Sequence, residues 1–240
     1  MMIQRFKDGL LELIFPSRAN CMGCGSQLGA DEGWLCDACH ELLQPVPDMQ
    51  VERCMRCGRP GHWDGHCKTC RNWPEDTISL ARYQYIYRRP VDRMIRQMKY
   101  HGVWKLDEWM GQEIVRLLVA EAFPKIDAVV PVPMHEKRIR KRGRNHSECI
   151  ARVVAREMRC ELLTTSLIRT RNTRQQARLN YVQRLRNLEE AFVADESVRG
   201  LRILLVDDVL TSGTTALKCA QALKQAGAFE VCVATLAGAI

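Results

Sequence analysis

Residues 203–215 read Ile203-Leu204-Leu205-Val206-Asp207-Asp208-Val209-Leu210-Thr211-Ser212-Gly213-Thr214-Thr215, and the fold turns on this stretch. Four apolar residues followed by carboxylates are the pattern of a buried parallel strand arriving at its carboxyl edge. Ligands of open α/β sheets bind outside that edge. The expected strand ends at the aspartate pair and turns through a hydroxyl-rich loop into a helix over residues 215–226. Thr211, Ser212, Gly213, Thr214 and Thr215 offer side-chain hydroxyls and consecutive backbone N–H groups, with Gly213 permitting close approach, and the positive end of the helix faces the same place. A phosphate fits there. Asp207 and Asp208 repel a phosphate but accept hydrogen bonds from the vicinal hydroxyls of a sugar, so the stretch reads as a sugar-phosphate site. The plainer reading, a strand–turn–helix whose hydroxyls cap the helix, leaves two edge carboxylates without a partner, which is costly.

Upstream, apolar periodicity alternates between strand and helix. A strand is expected over residues 78–87, with Tyr83, Tyr85 and Tyr87 on one face; three alternating tyrosines more often pack a core, and stacking bases is the alternative. A basic helix over 90–99 places Val91, Met94, Ile95 and Met98 at helical spacing, and a second helix covers 105–122. A strand over 126–131 is stopped by Pro131-Val132-Pro133, and a helix over 147–158 takes Ser147 as its N-cap. Then come a helix carrying Leu179, Val182 and Leu185, a strand over 191–194, the stretch quoted above, and a last strand over 231–236. This alternation predicts an α/β fold with a doubly wound parallel sheet over residues 75–240.

The first third is different. Eight of the twelve cysteines form four CxxC pairs: Cys21/Cys24, Cys36/Cys39, Cys54/Cys57 and Cys67/Cys70. Each pair makes a knuckle whose thiolates converge on one metal, and two knuckles complete a tetrahedral zinc site. Gly25 and Gly58 follow the second cysteine of their pairs, where a tight turn is needed. Residues 17–74 therefore read as a double zinc ribbon holding two structural Zn²⁺ ions; sequential and crossed pairing both fit the spacing. Disulfides suit a secreted chain, and residues 1–16 form an amphipathic helix interrupted by Arg5, Lys7, Asp8 and Glu12, a poor secretory signal. With no apolar stretch long enough to cross a membrane, a cytoplasmic location is expected. His40, His62 and His66 are surplus to the thiols and read as surface residues, Cys219 and Cys232 as small core residues.

The net charge of +8 is concentrated: residues 134–190 hold 15 Lys or Arg against 6 Asp or Glu, so the rest of the chain is nearly neutral. The run from His135 to Asn145 and the polar run from Arg169 to Gln176 carry most of it, the second reading as a loop that closes over an anion. Such a segment suits a diphosphate, nucleic acid, or both.

The stretch Val206 to Thr215 resembles the phosphoribosyl-pyrophosphate (PRPP) loop of type I phosphoribosyltransferases. That resemblance implies that Asp207 and Asp208 contact the ribose hydroxyls, that Thr211, Ser212, Gly213, Thr214 and Thr215 hold the 5′-phosphate, and that Pro131 to His135 is the pyrophosphate loop. Lys99, Arg169 and Arg171 become candidates for neutralising the pyrophosphate, and Mg²⁺ accompanies PRPP. The cysteine-rich head, Lys99-Tyr100, Pro131-Val132-Pro133, Lys137-Arg138, Arg142-Gly143-Arg144-Asn145, Arg171, Thr173, Gln175-Gln176, Arg184, Asn187 and Ala191-Phe192 together resemble the ComF/GntX family. The likeness runs over nearly the whole chain; it departs at Arg144 and His146, where the family usually carries an aromatic residue and a Gln. It implies a PRPP-binding protein that handles incoming single-stranded DNA in natural transformation, with competence or DNA-processing proteins as partners and no membrane insertion. The alternative is an active phosphoribosyltransferase acting on a nitrogen acceptor. No acceptor site is identifiable in the sequence, and no catalytic residue is assigned.

Overall fold

The computed structural model describes residues 20–29, 33–101, 103, 105–171 and 191–239. The amphipathic helix expected over 1–16 and the helix around Leu179, Val182 and Leu185 lie outside the described residues.

The cysteine-rich head holds one short helix, α1 (Asp37–Glu41). After it come β1 (Leu80–Ile86), α2 (Val91–His101), α3 (Lys105–Ala120), β2 (Ala128–Pro131), α4 (Glu136–Arg142), α5 (His146–Met158), β3 (Glu161–Leu162), β4 (Leu167–Arg169), β5 (Phe192–Ala194), β6 (Arg202–Leu210), α6 (Thr214–Gln225) and β7 (Glu230–Gly238). Five strands form one sheet in the order β1-β7-β6-β2-β3, every neighbouring pair parallel. The strand carrying the aspartates is central, as its apolar run predicts. It does not end at them: β6 pairs on with β7 through Val209–Ala237 and Leu210–Gly238, because two apolar residues after the carboxylates keep the ladder going. β4 and β5 form a separate antiparallel pair.

Helices cover both faces. On one face α2, α3 and α5 bury Met94, Ile95, Met98, Met110, Ile114 and Ile150 against Val129, Leu204, Val206 and Leu236. Gly111 lets α3 and α5 come together, since a Cβ there would collide with Val153. On the other face α6 packs Leu217, Cys219, Ala220 and Leu223 against Ile203, Leu205 and Val233. Each fully buried aliphatic side chain contributes about 1.5–3 kcal/mol.

Three sequence expectations need correction. Tyr83 and Tyr85 are both buried and belong to opposite core layers rather than one face. Tyr85 stacks on Trp109 with ring centroids 6.2 Å apart and donates its hydroxyl to Glu113 at 2.7 Å, so both rings follow the core-packing reading and not the base-stacking one; the single shared face is what needs correction. The helix over Glu136–Arg142 was not expected, since Ile139 is its one apolar residue. It forms through its ends: His135 Nδ1 accepts from Lys137 N–H at 3.2 Å, Glu136 stands at the positive end, and Arg140, Lys141 and Arg142 stand at the negative end. Ser147 is not an N-cap; that position belongs to Asn145, and Ser147 sits inside the first turn of α5.

The cysteine-rich head lies against the exposed edge of the sheet, where β1 is the outermost strand. Ala81 N–H donates to the Arg56 carbonyl at 2.7 Å, so the head covers part of an unpaired strand edge. The Arg56 guanidinium is buried and donates to carbonyls of Ile78 (2.8 Å), Trp73 (3.0 Å) and Glu75 (3.0 Å). One side chain thereby fixes the connection between head and sheet.

Candidate functional site

Where β2 and β6 leave the sheet, Val132 N–H still reaches the Val206 carbonyl at 2.9 Å. Beyond that bond the chains diverge, and a cleft of about 280 Å³ opens at the carboxyl edge. Asp207, Asp208 and Thr215 line it from β6 and α6, Pro133 and Met134 from the segment after β2, Lys99 from α2, and Arg169 from β4. Residues distant in sequence are thus collected at one rim.

The aspartates are held differently. Asp208 is buried and pairs with Lys99, whose Nζ lies 2.7 Å from Oδ2 and 2.8 Å from Oδ1. Burial opposes the charge on Lys99, but Asp208 and then Asp207 hold the ammonium above its ordinary value. Asp207 Oδ1 accepts from the Ser147 hydroxyl at 2.7 Å and from Asp208 N–H at 2.9 Å. Burial and the neighbouring Asp208 carboxylate push Asp207 up to about 7, against the lowering pull of Lys99 and Ser147. Lys99 therefore meets the acidic pair directly. The role of Ser147 was misread because a serine at a helix start ordinarily caps it; the proximity of β6 decides otherwise.

The raised Asp207 value has a testable sign. Between the ordinary aspartate value and about 7 the native state holds a proton that the unfolded chain has lost, so this group favours folding as pH falls. Asp207→Asn removes the dependence. Its stability relative to the parent is expected to be greatest at pH 8 and to shrink toward pH 5, by at most about 1.4 kcal/mol per pH unit. Urea unfolding of the two ligand-free proteins across that range checks it; a pH-independent difference rejects the assignment.

The five loop residues divide. Thr215 lines the cleft, whereas Thr211 faces the cysteine-rich head, beside Cys57, Trp73 and Tyr83. Ser212 Oγ and Thr214 Oγ1 lie 2.8 Å apart, and Thr214 is buried. Gly213 is the N-cap of α6 with φ 71°, a left-handed conformation that glycine adopts without strain, and as a glycine it has no side chain to cap the helix. The indole of Trp73 stands against it: a Cβ on Gly213 would come within 2.2 Å of the Trp73 Cζ2 edge. Trp73 received no role from its sequence, where nothing relates it to a loop 140 residues away.

Cations crowd the opposite wall. Arg169 lies with its guanidinium 5.4 Å from the Phe192 ring centroid, and burial with the nearby Arg138 charge lowers it to about 10. Arg171 is exposed, does not line the cleft, and accepts from Arg169 through its carbonyl at 3.3 Å. Asn145 spans the cleft floor, donating to the Val132 carbonyl at 3.1 Å.

In the cysteine-rich head, two clusters form, Cys21/Cys24/Cys36/Cys39 and Cys54/Cys57/Cys67/Cys70, with all sulfurs of each within 4.8 Å of one another. The pairing is sequential. Cys24–Cys36 and Cys57–Cys67 sulfurs are 3.7 Å apart, close to the edge of about 3.8 Å that a tetrahedron with Zn–S of about 2.3 Å requires. Both clusters fit structural zinc, the first partly exposed and the second buried. His40, His62 and His66 are exposed.

Comparison with known proteins agrees with this division. Residues 10–71 match the double zinc ribbon domain, and residues 144–239 match the phosphoribosyl transferase domain. The chain is 29% identical over 216 residues to the DNA utilization protein YhgH of Salmonella typhi, covering 88% of this chain and 93% of that one. It is 25% identical over 228 residues to competence protein F of Haemophilus influenzae, covering 91% and 96%. Among solved structures, the allosteric regulatory enzyme of purine biosynthesis aligns at 23% identity and a TM-score of 0.39; the alignment covers 55% of this chain and about a quarter (25%) of that one.

Proposed function

We propose that this chain, which joins a double zinc ribbon domain to a phosphoribosyl transferase domain and is similar to competence protein F and DNA utilization protein YhgH, is a ComF-like protein that binds PRPP and handles incoming single-stranded DNA during natural transformation. The observation that carries the first half is the convergence of Asp207, Asp208, Lys99 and Arg169 on one cleft beside the N-terminus of α6, whose N-cap is Gly213. In this reading the ribose diol donates to Asp207 and Asp208, and the 5′-phosphate takes the Thr211–Thr215 loop. The diphosphate faces the segment after β2, with Lys99 and Arg169 of the cleft wall neutralising it; Arg171 stands outside the cleft and has no part in this reading. Mg²⁺ would arrive with the diphosphate; the two carboxylates are oxygen donors of the kind a hard cation takes. The DNA half is supported by the names of the relatives and by the cationic run from Lys137 to Arg144.

Single-stranded oligonucleotide binding, followed by fluorescence anisotropy over a salt series, tests the DNA half. Four phosphate contacts give a log–log slope of about −3. An affinity flat with salt rejects it. The second reading, a transferase that attacks C1′ of PRPP with a nitrogen acceptor and releases pyrophosphate, is favoured by the same intact acidic pair. Pyrophosphate release across a panel of bases and amines separates the two.

A further inference from the structure

The cationic run serves more than the PRPP cleft. A second cleft of about 240 Å³ lies between the C-terminal turn of α2 and α4. Lys99, Tyr100, Arg138 and Arg142 line both clefts and form their common wall, whereas Lys141 and His146 line the second and not the first. Among the described residues, no Asp or Glu lines the second cleft. Lys99 pairs with Asp208 and Arg144 with Asp107 behind the lining, but between them burial and the Arg142 charge lower Arg138. An anion relieves that crowding.

Two further features show a built site. Arg142 lies with its guanidinium 5.2 Å from the Tyr100 ring centroid and donates to the Tyr100 hydroxyl at 3.3 Å, which holds the ring in place. Tyr100 is nevertheless 61% exposed, a large aromatic surface at the rim. His146 is 3% exposed; its Nδ1 is engaged by Asp107 Oδ1 at 3.0 Å, while Nε2 is buried without a hydrogen-bond partner among the described residues. A ligand suited to this wall carries both negative charge and a flat ring, and a nucleotide unit of a single strand offers both. In a duplex the base is already stacked and its face is not available to Tyr100.

We propose that this second cleft binds single-stranded nucleic acid, with a phosphate against Lys141 and Arg142 and a base on Tyr100, and that the shared wall makes the strand and the diphosphate of PRPP exclude one another. The proposal rests on the DNA-handling reading above and adds to it a location and an antagonism. Arg142 and Lys99 cannot neutralise two phosphate groups in two clefts at once without loss to each.

The experiment uses the full zinc-loaded chain and a fluorescein-labelled oligo(dT). Tyr100→Ala is expected to weaken oligonucleotide binding at least fivefold, the low end of what one base–aromatic stack contributes. Tyr100→Phe keeps the ring and should stay within twofold of the parent. Lys141→Ala should weaken the oligonucleotide severalfold and leave PRPP affinity unchanged, since it lines the second cleft alone. At matched ionic strength, PRPP with Mg²⁺, and inorganic pyrophosphate alone, should displace the oligonucleotide from the parent protein. If the parent binds oligo(dT) but neither Tyr100→Ala nor Lys141→Ala weakens it, or a duplex binds as tightly, the location is wrong. If PRPP and oligonucleotide bind together without mutual loss, the antagonism is wrong. A parent protein that binds no oligonucleotide at low salt sinks the DNA-handling reading itself.

Discussion

Replacing Asp207 and Asp208 together by asparagine is expected to lower PRPP affinity at least a hundredfold in calorimetry with Mg²⁺ present. Both carboxylates stand at the rim of the cleft, and each accepts a charge-assisted hydrogen bond from a ribose hydroxyl in the proposed complex. Such bonds contribute about 1.5–3 kcal/mol apiece, so losing two costs roughly 3–6 kcal/mol, and about 1.4 kcal/mol is tenfold. Asparagine is the informative replacement. Alanine would also strip Lys99 of its partner at 2.7 Å and leave a poorly solvated ammonium unpaired, which destabilises on its own account. Asparagine keeps the shape and leaves an amide oxygen to accept from Ser147 and from Lys99, but it removes the countercharge of Lys99 as well, so a thermal melt of the variant accompanies the calorimetry. PRPP affinity within threefold of the parent would mean that the sugar is held elsewhere and that the acidic pair serves only to anchor Lys99.

The parts of this site that were legible in the sequence are those where one local pattern has one physical cause. An apolar run that turns acidic and then hydroxyl-rich describes a central strand meeting solvent, and β6 is central. CxxC spacing describes a metal knuckle whatever surrounds it, and both clusters form as sequential sets. The end of the strand was less legible, because the partner β7 runs to Gly238 and carries β6 past the aspartates to Leu210.

What stayed hidden depends on contacts between distant segments. Ser147 looks like a cap until β6 places Asp207 beside it at 2.7 Å. α4 has almost no apolar face and exists because its ends are satisfied. Tyr83 and Tyr85 pack the core as alternating tyrosines ordinarily do, but in opposite layers rather than on one face. Trp73 belongs by sequence to the metal ribbon and by position to the 211–215 loop, where it stands against Gly213, and Arg56 holds the Trp73 carbonyl. A reading that stops at the domain boundary assigns the ribbon a purely separate existence.

The contact between Trp73 and Gly213 makes a second large effect specific to one of the two metal clusters. Cys54, Cys57, Cys67 and Cys70 are buried within the same core layer as Trp73, Leu217 and Ile203, whereas Cys21 and Cys39 pack in the opposite layer, with Val91 and Met94 of α2. A structural zinc site contributes about 10–16 kcal/mol of apparent binding free energy, as much as a whole domain's stability. Cys57→Ser/Cys67→Ser is therefore expected to halve the zinc content, lower the melting temperature by more than about 10 °C, and weaken PRPP binding at least tenfold. The last effect follows because the Cys70–Trp73 turn, released from its metal, no longer holds the indole against the N-cap of α6. Cys24→Ser/Cys36→Ser should also halve the zinc, but its cluster adjoins α2 rather than the PRPP loop, so PRPP affinity should stay within threefold. Trp73→Ala, which leaves both clusters intact, should reproduce the loss of affinity without loss of zinc. Zinc analysis, thermal melting and calorimetry on the three variants decide the matter. Equal effects of the two cysteine pairs would make the ribbon a single stabilising unit, and full PRPP affinity in Trp73→Ala would remove the buttress from the account.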